Sequence, residues 1–535
     1  MGNQQSSVTS LVVAGTTTAI VLGGTAAVLL LRRISQSVGL AKPTLQMLKE
    51  EEPSKHCALF RKFPSLSQKL AWRSLQAISA SPIHVGRCKS NDDLDLHFFV
   101  KREDLISTKI YGGNKVRTLQ HQLAVCESHL QAGNPAYSQL VTVGTGGSNQ
   151  VVATVLYGQL LGWNNTEEKT VKNAADNSIP TDTRCKIHVC WMDKDEPDLD
   201  NTLNMLSVFS FSQQLGFLYN WGQQKKQILC AIYHAWRQSK YIPMMMGGNC
   251  TAGVLGQVSG MLELAEQIRE EKCPSDIERI YVPVGSSCTI SGLIVGAVLV
   301  RECFPDTTFP DKFKIVGCNV HPHLALLDRW IGFHTNSLWN FLPLTISHSV
   351  KMACRALQQL AAPEDNVPSN LEHLCQDFIR HNVELRAEAS VVGPYGGHSP
   401  ATRRAAHCYD KTGSIREYAG NQQQQKEETP LWVCGHFVAK ALQPLLADLQ
   451  EDLPTTNGKK YMLWMTKSAI QPRSEQTNEW DMLLGENATI QKWANDGKAE
   501  STLRPGKLST ANGGTSEDYR TLMTQVNLSL ESKKG

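Results

Sequence analysis

From His97 onward the chain alternates short apolar runs with longer helical ones, and no other feature of the sequence constrains its fold as strongly. His97 to Val100, Leu140 to Val143, Lys186 to Trp191 and Ile277 to Val284 have strand character. Leu119 to Leu130, Gln150 to Leu161, Leu199 to Leu215 and Thr289 to Val300 carry the helical pattern between and after them. A chain that passes through a helix between strands returns to the same end of the sheet, so the strands come to lie parallel with helices over both faces. The class expected is therefore α/β.

Three polar stretches interrupt the alternation: Asn164 to Arg184, Ile415 to Glu428 with its run of four glutamines, and everything after about Gln471. The first two read as surface insertions, and 471–535 as a largely disordered tail. Apolar residues make up 41% and charged residues 19% of the 535, enough apolar material for a large core. A net charge of +3 leaves no electrostatic footprint for nucleic acid, which points to a small-molecule ligand. The 15 cysteines form no C-x-x-C pair, arguing against both a disulfide framework and a thiolate zinc site. The 16 histidines form no H-x-x-x-H pair, and His321 and His323 have no Cys, Asp or Glu at motif spacing, so no metal site is expected.

The N-terminus stands apart. After a short tail over 1–7, residues 8–31 contain no charge, and as a helix they would extend ~36 Å. Arg32 and Arg33 follow, and no acidic residue precedes Glu50. The expectation is a single-pass transmembrane helix over 8–31 with the remainder facing the cytosol, a mitochondrial location being the alternative. The opening Met1-Gly2-Asn3-Gln4-Gln5-Ser6 also fits a myristoylation pattern. Residues 32–80 read as a connector and an opening helix.

The densest chemical signal is Lys101-Arg102-Glu103-Asp104, a charged turn after a strand, followed by Gly112-Gly113-Asn114-Lys115. Glycines there let backbone approach a bound ring, and a lysine in a partly dry pocket can lose its proton and form a Schiff base. Gly144-Thr145-Gly146-Gly147-Ser148-Asn149-Gln150 then links a strand to a helix with amides and short polar side chains suited to a carboxylate or other anion. A second such loop, Gly285-Ser286-Ser287-Cys288-Thr289, suits a phosphate at a helix N-terminus but lacks the lysine of a nucleotide-binding P-loop. That favours a cofactor monophosphate over ATP.

In this order the blocks Lys101–Lys115, Gly146–Gln150, Gly247–Gly256 and Gly285–Leu293 resemble the tryptophan-synthase-β-like enzymes of pyridoxal phosphate. Within them the resemblance is to the branch of D-cysteine desulfhydrase and 1-aminocyclopropane-1-carboxylate (ACC) deaminase. It implies two open, twisted, mostly parallel sheets in a catalytic region over 81–470, with a smaller domain at about 115–245 inserted in the larger one. It implies pyridoxal phosphate as cofactor, a small amino-acid substrate and a homodimer. Lys115 would carry the cofactor, Asn149 would bond its phenolic oxygen, and Gly285, Ser286, Ser287, Cys288 and Thr289 would cradle its phosphate. Ser148, Asn149 and Gln150 would hold the substrate, and Tyr395, in Gly393-Pro394-Tyr395-Gly396, matches the active-site tyrosine. Lys115, Ser148 and Tyr395 are thus the catalytic candidates.

Two departures bear on the reaction. Against the family's pattern, Val433-Cys434-Gly435 stands where relatives have a tyrosine followed by Thr or Glu and Gly, so the resemblance implies that Cys434 would face the ring nitrogen, and Thr466-Lys467-Ser468 stands where they have a glycine pair after Thr. The implied activity is β-elimination and deamination, D-cysteine giving pyruvate, sulfide and ammonia. ACC ring opening, a serine or threonine dehydratase, and a catalytically weakened cofactor binder are the alternatives.

Overall fold

The computed structural model describes residues 38–75, 80–90, 93–106, 111–161, 163, 185–191, 196–211, 217–219, 242–244, 246–304, 309–320, 342–387, 389–393, 396–418, 433–452, 460–468 and 488–499. Its strands are β1 (Ile83–Lys89), β2 (Asp95–Arg102), β3 (Gln139–Gly144), β4 (Lys186–Trp191), β5 (Phe217–Tyr219), β6 (Ile242–Met244), β7 (Ile277–Val284), β8 (Lys314–Asn319), β9 (Val383–Arg386), β10 (Ser414–Glu417) and β11 (Lys460–Met465). They form two sheets, a larger one in the order β10-β1-β2-β11-β7-β8-β9 and a smaller one in the order β5-β4-β3-β6.

The smaller sheet is parallel throughout. The larger is parallel from β2 to β9, whereas β1 runs antiparallel to both β2 and β10. The exception follows from chain length: only a tight turn separates β1 from β2, closed by Ser90 N–H to Leu94 O at 2.8 Å, and a tight turn can join antiparallel strands only. The parallel strands β8 (Lys-Ile-Val-Gly-Cys-Asn) and β11 (Lys-Tyr-Met-Leu-Trp-Met) are buried beyond their first residue, as strands covered on both faces must be.

The principal helices are α1 (Lys115–Gln131), α2 (Asn149–Leu160), α3 (Leu199–Phe211), α4 (Thr251–Arg269), α5 (Cys288–Cys303), α6 (Leu342–Leu360), α7 (Leu371–Asn382), α8 (Pro400–Thr412), α9 (Ala439–Asp452) and α10 (Ala488–Ala499). One face of the larger sheet packs on α4 to α7 through Val254, Val258, Leu293, Ile346 and Leu371. Its other face packs on α8 and α9 through Tyr281, Val316, Ala405, Leu442 and Leu445. The smaller sheet shares a core with α1, α2, α3 and α10.

Two expectations need correction. No described helix is long and apolar enough to cross a membrane. The span expected over 8–31 lies outside the described residues, and the membrane location inferred from it is withdrawn. The long apolar helix that is described, α5, owes its apolar surface to burial from Cys288 to Val300 between its neighbours rather than to lipid. The tail beyond 471 is also not wholly irregular. Residues 488–499 fold as α10 against α3 and bury Trp493 and Ala494 in the smaller core.

Candidate active site

Lys115 opens α1, with Gly113 at φ +86° turning the chain just before it. A Cβ on Gly113 would stand 2.8 Å from the Thr466 carbonyl, so this turn fits against the end of β11 only as glycine. Asn114 N–H donates to that same carbonyl at 3.0 Å, and Gly112 N–H to Ser468 Oγ at 2.8 Å. The Thr466–Ser468 segment thus holds the turn that carries the lysine.

Lys115 Nζ donates to the Gly247 carbonyl at 3.0 Å. Burial lowers its pKa, with the neighbouring Cys288 thiol pulling the other way. Gly247 has φ +64°, and a Cβ there would meet Ser286 Oγ at 2.3 Å and Lys115 Nζ at 3.6 Å. The lysine amine and the Ser286 loop therefore meet across one glycine.

That loop ends β7 and begins α5. Ser287, its N-cap, lies at φ +70° and makes no side-chain cap, so the first amides of α5 are not satisfied by the capping side chain. Ser287 Oγ instead meets Thr345 Oγ1 at 2.5 Å, Ser286 O accepts from Asn249 Nδ2 at 2.6 Å, and Thr289 Oγ1 accepts from Asn114 Nδ2 at 2.6 Å. Gly285 passes the Val320 side chain, and burial pushes the Cys288 thiol up to about 12, Lys115 opposing. A neutral thiol at that helix terminus leaves room for an anion.

Ser148 is the N-cap of α2, and its hydroxyl makes no capping bond. Asn149 Oδ1 accepts from Tyr111 Oη and from Asn204 Nδ2, both at 2.9 Å. Its carbonyl side is thereby taken, which leaves the amide N–H groups as its donors. Gln150 Nε2 turns to Thr154 Oγ1 at 3.2 Å and to Met244 Sδ at 3.0 Å. Its Oε1 is buried without a hydrogen-bond partner.

Tyr395 lies outside the described residues. Cys434 is fully buried in the core between the larger sheet and α9, where burial pushes its thiol up to about 12 and the N–H groups of Phe437, His436 and Val438 offset this in part.

The charged turn read as Lys101-Arg102-Glu103-Asp104 is completely buried, and its groups pair with protein. Lys101 Nζ reaches Glu263 at 2.7 Å, Arg102 pairs with Asp104 and donates to His84 Nδ1, and Arg117 bridges Glu103 at 2.7 Å and Glu263 at 2.9 Å. These groups tie β2 and the start of α1, which carries Lys115, to α4.

Several residues escaped the sequence reading. Tyr111 is buried, orients Asn149 and takes its own backbone support from Tyr157. Its position immediately before the glycine pair was the available signal. Asn204 had none. Lys467, noted in the sequence only as part of the Thr466-Lys467-Ser468 departure, is buried and paired with Asp200 across the two sheet units, and Asp198, just before α3, meets His398 and His436.

No protein-family model and no curated protein matches this sequence. Among solved structures, an ACC deaminase homologue superposes with a TM-score of 0.46 at 18% identity, covering 77% of this chain and 93% of that one. A hydrogen sulfide-producing enzyme from Fusobacterium nucleatum gives 0.38 at 9%, covering 78% and 93%. Escherichia coli diaminopropionate ammonia lyase in apo form gives 0.39 at 11%, covering 88% and 99%. Similarity this distant carries no conclusion about chemistry, which has to come from the site itself.

Proposed function

We propose that the chain is a pyridoxal-phosphate-dependent lyase that removes a β-substituent and ammonia from a small amino acid, D-cysteine being the favoured substrate. The observation that carries this reading is the meeting of a lysine amine of lowered pKa with an uncapped helix N-terminus across Gly247. An amine and an anion cradle so close together suit a ligand that bears both a carbonyl and a phosphate.

The residues present fit that cofactor. The amides that open α5, with Ser286, Ser287 and Thr289 around them, would hold the phosphate. The Asn149 amide, its oxygen already engaged by Tyr111 and Asn204, would donate to the phenolic oxygen. Ser148 and the first amides of α2 would hold the substrate carboxylate. When bound, the cofactor supplies an electron sink for the pair released at the substrate α-carbon.

Lys115 Nζ, whose neutral form burial favours, takes the α-proton as general base. The thiolate at Cβ then departs as sulfide, and the aminoacrylate that remains takes up one water to release ammonia and leave pyruvate. ACC has no α-proton for Lys115 to take, and its ring opening demands a stronger sink. Cys434, a thiol kept protonated by burial, is a poor substitute for a carboxylate in strengthening one.

The test is to supply the full chain with pyridoxal phosphate and offer D-cysteine, L-cysteine and ACC separately. Pyruvate and sulfide from D-cysteine should outpace 2-oxobutanoate from ACC. The reverse order would replace this substrate by ACC. A visible cofactor band with no ammonia from any of the three would make the chain a binder without turnover.

A further inference from the structure

Three side chains distant in sequence, none of them assigned to the site around Lys115, converge at one buried point. Asp198 immediately precedes α3, His398 precedes α8 and His436 lies in the turn before α9. Their side chains are 9%, 3% and 1% exposed. His398 Nε2 lies 3.0 Å from Asp198 Oδ2, and His436 Nε2 closes on the same oxygen. One ligand atom from each residue falls within 4.8 Å of the others.

Hydrogen bonding accounts for only part of this. Asp198 Oδ1 is already used, accepting Asn201 N–H at 2.8 Å to cap α3. Oδ2 takes one well-formed bond, from His398. His436 brings its Nε2 to the same oxygen without hydrogen-bond geometry, and neither of its ring nitrogens has a hydrogen-bond partner. A second buried imidazole with no bond is costly for a protein to keep, by ~1–3 kcal/mol for each unmet polar group. Two imidazole nitrogens and a carboxylate oxygen aimed at a common point are what a cation between them would require.

We propose that Asp198, His398 and His436 bind a divalent transition-metal ion of the zinc type. Imidazole and carboxylate donors suit zinc, iron(II) or cobalt rather than magnesium or calcium, which take oxygen. Three protein ligands leave a fourth position for water. The ring Nδ1 atoms have no described partner, so the ion answers the convergence of the Nε2 atoms and not the outer side of the rings. Glu196 steadies one ligand from behind by accepting the His398 backbone N–H at 2.9 Å.

Such an ion would tie α3, in the smaller-sheet unit, to two segments of the larger. One carries His398 three residues after Tyr395, and the other carries His436 two residues after Cys434. It is therefore a structural clasp between the two sheet units.

Zinc alone is the probe. The full chain, stripped by chelator and dialysed with zinc, should retain one equivalent by elemental analysis, and cobalt in its place should give the visible bands of a low-symmetry site. Asp198→Asn separates ligation from capping, because asparagine caps a helix as well as aspartate but lacks the charge. It should melt as the wild type does without metal, and lose zinc affinity by more than the ~10–100-fold expected from altering an outer partner. His436→Gln should lose the cobalt bands. Wild-type protein holding no more zinc than Asp198→Asn, or giving no cobalt bands, would overturn the site, and neither result depends on pyridoxal phosphate or turnover.

Discussion

Lys101-Arg102-Glu103-Asp104 and Gly112-Gly113-Asn114-Lys115 stand side by side in sequence and both take cations out of water, yet the structure treats those cations oppositely. Lys101, Arg102 and Arg117 each meet a carboxylate in the interior. Lys115, among the described residues, meets a backbone carbonyl and a neutral thiol instead. Pairing preserves a buried charge, whereas its absence favours the neutral amine. The first motif is therefore frame and the second is reagent, a distinction that burial alone does not reveal.

The comparison breaks most readily at Lys115. Lys115→Ala is expected to abolish both the visible cofactor band and 2-oxo acid formation, a loss to background, while the melting temperature holds or rises because no ion pair is removed. An unchanged absorption spectrum in the variant would take the cofactor role away from this lysine.

On the frame side the expected effect is on stability. Glu263 accepts from Lys101, Arg117 and Ser81, so Glu263→Gln leaves two buried cations short of a charge. Breaking a buried pair from one side costs about 3–5 kcal/mol. Urea denaturation should show a loss of that order, with the cofactor band still present in the protein that remains folded. Equal loss of cofactor and of stability would mean that frame and reagent are not separable.

Acid offers a finer probe of the same contrast. Burial pushes the Glu263 carboxyl up, but Arg117 and Lys101 overcome it and hold the group at about 2, against an ordinary value of 4.5. Between those values the unfolded chain binds more protons, so stability falls as pH drops through that window. His84 is held neutral to about 3 by burial and by Arg102, and the unfolded chain protonates it from about 6.5 downward, so its loss begins earlier. Denaturation midpoints across pH 3–6 should fall in two stages, and Glu263→Gln should flatten only the lower one. A wild-type curve level across that range would contradict both assignments.

The sequence disclosed what is local. A strand, a glycine-rich turn and the helix after it are contiguous, so β3 with α2 and β7 with α5 could be read from patterning to within three residues, and the loops between them with their candidate ligands. What it withheld depends on distant segments meeting. Nothing near Glu263 marks it as the partner of Lys101, 162 positions away. Nothing in the spacing of His398 and His436 indicates that Asp198 joins them. α10 was missed for a related reason: its polar surroundings look like tail, and only Trp493 and Ala494 find the smaller core.

The smallest expected effect supplies the sharpest control, because a single helix holds both cases. Glu266 follows Glu263 by three residues on α4 and, like it, faces an arginine, Arg61 at 2.9 and 2.5 Å. Its geometry is as good as that of the buried pair, but both partners remain in contact with solvent, at 34% and 21% exposure. Water already solvates what the partner would otherwise have to, so the pair adds little. Glu266→Gln should cost about 0.2–1 kcal/mol. Added salt should shrink that difference further, since ions screen an exposed pair, while leaving the Glu263→Gln deficit nearly intact. If the two substitutions instead destabilise α4 alike and respond alike to salt, the separation between paired charge inside and paired charge outside fails, and Lys115 loses the contrast that identifies it.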